Sequence, residues 1–310
     1  MSIAIIGAGI CGLTLANKLS EESIDNFILE KSKGVGGRLA TRRDGEATYD
    51  HGAAFYLQSN FEPNIWHERW QNAGLTKLWF SENERLHFCG ASGMTSLAKD
   101  LAQNVKVYFS EKVVKLDVSQ NSVSVLCESN KFFEAQKIVL TSPLPQVLEI
   151  LNASQINYPA DLNNIVFGKA LVGLFEIEDE NKIEYNFNIL KPNSNIFTLA
   201  NNQAKRISKK FALSVVMSGS WSDQHFKFDD TQILALMQIE MQKYFKFEMH
   251  VIKAQLKKWR YAQPRTVYKD KHVSLNSGQI ILAGDAFGGG SIAGALRSAQ
   301  SAFEFINKPI

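Results

Sequence analysis

Cysteine is scarce: the 310 residues hold three, Cys11, Cys89 and Cys127, widely spaced and without a CxxC pair. That excludes a disulfide framework, offers no zinc-ligand spacing and fits a reducing cytoplasm. Proline is limited to 7 residues, and no Pro/Gly/Ser linker or internal repeat divides the chain, which excludes collagen-like, low-complexity and repeat architectures. Charge of one sign is also missing. With 34 Lys plus Arg against 31 Asp plus Glu the net charge is +3, too small for the electrostatic footprint of a nucleic-acid binder, so a small-molecule partner is expected. The uncharged apolar stretch near the start, Ile3 to Ala16, contains three glycines and follows no basic residue. It is too short to cross a bilayer, and neither a signal peptide nor a membrane anchor is expected from it. His67-Glu68-Arg69-Trp70 lacks the second His of a metalloprotease helix, and neither a G-x-S-x-G nor a P-loop occurs; no metal site is expected.

What is present is 45% hydrophobic residues, enough apolar surface to offset the entropy of ordering the chain in two domains, or in one with a large insertion. Ile3-Ala4-Ile5-Ile6 reads as a buried strand, Gly7 to Gly12 as a glycine turn, Leu13 to Leu19 as a helix and Phe27 to Glu30 as a second strand, which makes a β-α-β unit. Further on, Lys106 to Phe109 and Lys137 to Leu140 read as strands. The alternating runs Val113 to Val118 and Ser122 to Cys127 suggest a hairpin laid over a mostly parallel sheet. Near the end, Gln279 to Ala283 is a buried strand leading through Gly284-Asp285 into a helix from about Ile292 to Ile306. Residues of about 59–90 and 149–264 have a different texture, with strand-like runs at Gly173 to Glu176 and Leu213 to Val216 and an amphipathic helix near Thr231 to Tyr244. They read as a second domain inserted into the first.

Gly7-Ala8-Gly9-Ile10-Cys11-Gly12 is a GxGxxG between strand and helix, with the acid Glu30 closing the next strand. Gly7 permits the turn, Gly9 lets backbone approach a pyrophosphate, Gly12 lets helix and strand pack closely, and the helix start holds the phosphates. Glu30 can accept hydrogen bonds from both ribose hydroxyls and would repel a 2′-phosphate. The motif alone does not separate NAD from FAD.

Gly36-Gly37-Arg38-Leu39-Ala40-Thr41-Arg42-Arg43, Asp50-His51-Gly52-Ala53, Gly93-Met94, Lys258-Trp259-Arg260 and Gly284-Asp285-Ala286-Phe287-Gly288-Gly289 follow in that order over nearly the whole chain. Together they resemble the flavoprotein family of amine oxidases and renalases, and renalase-like oxidoreductases most of all. The resemblance implies an α/β fold: a discontinuous Rossmann-type FAD-binding domain of the glutathione-reductase-like kind at 1–58, 91–148 and 265–310, carrying an α+β substrate domain built on an antiparallel sheet at 59–90 and 149–264. It implies non-covalent FAD, since no Cys follows Cys127 to make the thioether some amine oxidases use. Gly7, Gly9, Gly12, Glu30 and Lys31 would serve the ADP half. Gly37 and Arg38 would lie beside the pyrophosphate or flavin, with a surface salt bridge as the alternative for Arg38. Gly52 and Ala53 would pass the isoalloxazine ring, and Val113 would present its backbone to the adenine. Gly284 and Asp285 would serve the ribityl or phosphate side, with a helix-cap role open for Asp285, and Ile292 would open the helix aimed at the flavin. For the reaction itself the resemblance points to His225, Trp259 and Tyr261 as pocket residues, with a structural role open for His225.

Two departures bear on function. Ser291 stands where amine oxidases place an aromatic cage residue, and Ala293-Gly294-Ala295 lacks the acidic residue that often precedes Gly-Ala. A single GxGxxG provides no second fold for NAD(P)H as reductant, so electrons are expected from the substrate. Lys205, Arg206, Lys209 and Lys210, with Lys253, Lys257, Lys258, Arg260 and Arg265, could attract a phosphate-bearing substrate or form a solvated face. The expected activity is a cytoplasmic FAD-dependent oxidase acting on misreduced dihydronicotinamide dinucleotides, with oxygen as acceptor and hydrogen peroxide as product. An amine oxidase and a FAD-binding protein without turnover are the alternatives.

Overall fold

A computed structural model describes residues 1–60, 65–178, 195–246 and 248–308. They divide into two compact units, Met1–Gly37 with Ala98–Phe167 and Gln263–Ile310, and Arg38–Leu97 with Gly168–Ala262.

In the first unit the strand Ser2–Ile6 is buried along all but its first residue, as a central parallel strand covered on both faces must be. Its sheet has six strands in the order Val273–Leu275, Ile280–Leu282, Lys137–Leu140, Ser2–Ile6, Asp25–Glu30 and Val107–Phe109. All neighbours run parallel except the edge strand Val273–Leu275. Ser2–Ile6 is followed in sequence by the strand on one side, while its other neighbour comes from Lys137–Leu140. The chain therefore switches direction across the sheet at the carboxyl end of Ser2–Ile6, where open α/β sheets bind ligands. The alternating runs form a meander of three strands, Val113–Val118, Val123–Cys127 and Phe132–Ala135, one strand more than the expected hairpin. Its inward residues Val113, Leu116, Val123, Val125 and Cys127 share a core with Leu144, Val147 and Leu151 of the helix Leu144–Ala153. The first helix is Ile10–Glu21; it begins inside the glycine motif, three residues before the expected Leu13, because Gly9 serves as its cap.

In the second unit a four-stranded sheet has the order Ile196–Asn201, Ala212–Met217, Phe167–Ile177 and Val251–Pro264. Residues of Phe167–Ile177 alternate between two cores, as a strand covered on both sides requires. Leu171, Phe175 and Ile177 pack with Ile233, Met237 and Met241 of the helix Asp230–Gln242. Val172 and Leu174 pack with Ala47 and Tyr49, which belong to the strand Ala47–Asp50, paired with Thr41–Asp44. A small sheet of Tyr56–Leu57, Arg85–Gly90 and Thr76–Glu82 completes the unit.

The unit boundaries differ from the expected 1–58, 91–148 and 265–310 for the reason just given. Residues 38–58 and 91–97 fall in the second unit, since Ala47 and Tyr49 bury against Val172, Leu174 and Ala212. Residues 149–167 fall in the first, since Ile150, Leu151, Ile156 and Leu162 bury against the meander core. Among the described residues no helix is long and apolar enough to cross a membrane.

Candidate cofactor and substrate sites

The carboxyl edge of the parallel sheet assembles the motif residues of the first unit. Gly7 has φ +110°, a conformation open to glycine and costly elsewhere. A Cβ on Gly12 would lie 2.2 Å from the Gly7 carbonyl oxygen, so the helix can start this close to the strand only without a side chain. A Cβ on Gly9 would meet no protein atom within 4 Å. That side of the turn is the open one, and the helix beginning at Ile10 has no side-chain cap bond, so its positive end faces open space, an arrangement suited to phosphate. Thr141 fixes the turn from the next strand: its hydroxyl donates to the Ile6 carbonyl at 2.9 Å and lies 3.1 Å from that of Gly7.

Glu30 is 7% exposed. One carboxylate oxygen accepts from the Ala8 N–H at 2.8 Å and the other from the Ser32 N–H at 2.7 Å, which leaves a further acceptor direction on each oxygen for ribose hydroxyls. Gly36 returns to the turn through its N–H bond to the Ala8 carbonyl at 2.8 Å, and a Cβ on Gly37 would sit 3.6 Å from the Gly9 Cα. The Glu111 N–H bonds the Glu30 carbonyl at 2.9 Å, and Val113, two residues on, is buried. Gly284, at φ +142°, is anchored by Ser298, whose hydroxyl accepts its N–H at 2.8 Å. Asp285 follows, buried, in the first turn of the helix Asp285–Gly288, and Ile292 is buried in the helix Ser291–Ile306. Lys31 is exposed and donates to Gln146 at 3.2 Å. An open Gly9, a fixed acid and an uncapped helix start fit the ADP half of FAD.

In the second unit Arg38 donates to the Ala262 carbonyl at 3.2 Å. The segment after it runs against residues 51–53: the Ala53 N–H bonds the Arg38 carbonyl at 2.8 Å, and a Cβ on Gly52 would lie 2.0 Å from that oxygen. Asp50, at the head of this turn, is a hub. One carboxylate oxygen accepts from the Thr41 hydroxyl at 2.6 Å and the Met94 N–H at 2.8 Å. The other accepts from Lys205 Nζ at 2.6 Å, and both charged side chains are 0% exposed.

Trp259 donates its indole N–H to the His51 carbonyl at 2.7 Å and stacks on the His51 ring, centroids 5.6 Å apart at 25°. Tyr261 lies two residues along the same strand, hence on the same face. His225 is elsewhere. It ends the helix Gly219–His225, stacks on Trp221 at 4.0 Å and bonds the Trp221 carbonyl at 2.8 Å. Its neighbour Phe228 gives a carbonyl to Lys258 at 3.1 Å, the residue before Trp259 and so directed to the opposite face. The expected grouping of His225 with Trp259 is not what the structure places together, because successive residues of Val251–Pro264 point to opposite sides.

Of the basic residues, Lys205 departs from both expected roles, substrate attraction and a solvated face, because it is fully buried. Lys205 is buried against Asp50, Lys209 and Lys210 pair with Glu46, Lys253 with Asp44 and Lys258 with Asp230. Lysines of one basic run thus divide between two carboxylates, Asp50 and Glu46. Sequence reasoning also missed Thr141, Ser298 and the Asp50–Lys205 pair, all of which act through contacts distant along the chain.

Burial, aided by the nearby Lys257 ammonium, pushes the His51 imidazole down to about 4. Its Nδ1 is buried without a hydrogen-bond partner among the described residues. Between an unfolded pKa near 6.5 and about 4, the unfolded chain takes a proton that the native ring refuses, so stability is full above pH 6.5 and falls as acid is added. At pH 5 the loss due to His51 is at most about 2 kcal/mol, from roughly 1.36 kcal/mol per pH unit. His67, His87 and His272 are also lowered by burial and act in the same direction. The measurement is therefore the difference in urea midpoint between pH 7 and pH 5 for wild type and for His51→Asn. The variant should show the shallower loss, and equal losses would place His51 in water.

Residues 71–303 match the family model described as flavin containing amine oxidoreductase, and residues 5–68 match that of the NAD(P)-binding Rossmann-like domain. The chain is similar to a zeta-carotene-forming phytoene desaturase of Myxococcus xanthus, 31% identical over 99 residues, covering 30% of this chain and 18% of that protein. It is also similar to a 4,4'-diapophytoene desaturase (4,4'-diaponeurosporene-forming) of Staphylococcus aureus (strain MRSA252), 32% identical over 65 residues, covering 21% and 13%. The matches thus span less than a fifth of those curated relatives. A solved structure described as "Putative protoporphyrinogen oxidase from Exiguobacterium sp. 255-15" superimposes with a TM-score of 0.79 over 98% of both chains at 12% identity, which is a likeness of fold.

Proposed function

Because the chain belongs to the flavin containing amine oxidoreductase family and binds FAD without a covalent bond, we propose that it is a renalase-like oxidase of misreduced dihydronicotinamide dinucleotides. In that reaction the substrate gives up a hydride and becomes an aromatic nicotinamide, and oxygen with one proton takes the electron pair to become hydrogen peroxide. Bound FAD supplies the hydride acceptor and the route to oxygen. The chain's part is binding and orientation. Gly9 and the start of Ile10–Glu21 hold phosphate, and Glu30 holds ribose. Trp259 offers a flat face to a planar donor, and orientation of this kind is the main demand of a hydride transfer driven by regained aromaticity.

The observation that carries the reading is the Trp259 indole, fixed at both its N–H and its ring by His51. Three further observations support the same reading. His51 stays neutral, and the chemistry asks for no general base. Ser291 in place of a cage aromatic favours this donor over an amine. Three buried cysteines outside any disulfide accord with a cytoplasmic setting. Phosphate attraction, in this reading, rests on Lys257, two residues from Trp259 and so on the same face of the strand, while Lys205, Lys209, Lys210, Lys253 and Lys258 have carboxylate partners.

Anaerobic mixing with dihydronicotinamide isomers reduced off the normal position should bleach the flavin. Simple amines and ordinary NAD(P)H should act slowly or not at all. Trp259→Ala should slow that bleaching about tenfold, equivalent to roughly 1.4 kcal/mol of lost stacking and orientation, while the FAD content holds at wild-type level. Fast bleaching by an amine with no response to the isomers would move the assignment to amine oxidation. No bleaching by any donor would leave a FAD-binding protein without turnover.

A further inference from the structure

We infer that the buried pair of Lys205 and Asp50 is a positioning device for Trp259, an inference that rests on the reading of Trp259 as a wall of the substrate site. Lys205 Nζ reaches two points on one short stretch of chain, the Asp50 side-chain Oδ2 at 2.6 Å and the Ala54 backbone carbonyl at 2.7 Å, and its remaining side lies over the Trp79 ring at 5.0 Å. The ammonium is fully enclosed and its donors are directed at a carboxylate, a carbonyl and a π face. It therefore has no proton to exchange with substrate, and its role is mechanical. Asp50 is held in turn by Thr41 and Met94, so residues 50 and 54 are both pinned. Between them lies His51, whose carbonyl takes the Trp259 N–H and whose ring backs the indole. If residues 50–54 shift, Trp259 loses its hydrogen-bond acceptor and its stacking partner together.

A buried ion pair adds little stability over an apolar pair of the same volume. What this one supplies is a fixed distance and direction at both ends of the turn. Asp50→Asn with Lys205→Met removes both charges at once, nearly conserves volume and leaves no stranded ion, so this double variant is the one to test.

The first readout needs no turnover. In apoprotein labelled with 5-fluorotryptophan, the fluorine resonance of Trp259, assigned by Trp259→Phe, should shift and broaden in the double variant. The resonances of Trp66, Trp70 and Trp221 should stay in place. The second is a cycle with Trp259→Ala, read as the apparent KM for a dihydronicotinamide isomer in flavin reduction. The double variant should raise that KM about tenfold in the wild-type background and add less than twofold once Trp259 is already Ala. An unmoved Trp259 resonance, or equal KM increases in both backgrounds, would overturn the inference. If Trp259→Ala itself leaves flavin reduction unchanged while the resonance still moves, the substrate reading has failed and the mechanical coupling stands.

Discussion

Gly9→Val is expected to purify as a folded protein without colour. The substituted side chain would enter a space with no protein atom within 4 Å of its Cβ, so the apoprotein has no clash to relieve. Gly9 is also not among the glycines at positive φ, so a branched residue can take its backbone conformation. That space is where the phosphates must come close to backbone, and a valine there should weaken FAD binding by more than about 100-fold, or roughly 2.7 kcal/mol. Titration of apoprotein with FAD and a thermal melt of the same sample measure the two halves of the expectation. Gly12→Ala provides the contrast, since its Cβ would stand 2.2 Å from the Gly7 carbonyl and should damage the fold before the cofactor is added. A yellow Gly9→Val protein with a normal FAD titration would mean the turn is only a turn.

This contrast also marks what could be read from sequence. The glycine motif, its strand and the acid Glu30 were legible because a β-α-β unit is local: Glu30 accepts the Ala8 N–H across only 22 positions, and the burial of Ser2–Ile6 shows as an uninterrupted apolar run. The strand Val251–Pro264 was not legible. Much of it is half-exposed or exposed, so charges interrupt the apolar signal on both faces and the period-2 pattern is lost. Lys205 was misread for a related reason. In sequence it belongs to a basic run with Arg206, Lys209 and Lys210, and burial of a lysine is justified only by a partner, here 155 positions away. Thr141 and Ser298 carry no motif at all. Each acts by one hydroxyl on a backbone group of a glycine turn, which only the folded sheet brings within reach.

Asp50→Ala should be the most destabilising substitution in the second unit that leaves every glycine in place. The carboxylate accepts from Lys205, Thr41 and Met94, and its removal strands an ammonium with no exposed surface to rehydrate. Breaking such a pair from one side costs about 3–5 kcal/mol, because the remaining charge keeps its desolvation penalty without its partner. For a unit of this size that corresponds to a fall in Tm on the order of 10 °C. Lys205→Met should cost less, since the orphaned carboxylate keeps two of its donors, the Thr41 hydroxyl and the Met94 N–H. Asp50→Asn with Lys205→Met should recover most of the loss, because neither charge is then buried. The ordering, Asp50→Ala below Lys205→Met below the double variant, is the test, read by calorimetry on apoprotein so that FAD linkage does not enter. It depends on enclosure rather than on proximity. If Asp50→Ala cost less than about 1 kcal/mol, the pair would be behaving as a surface salt bridge does, water would be reaching Lys205, and the turn at residues 50–54 would lack the fixed support on which the placement of Trp259 depends.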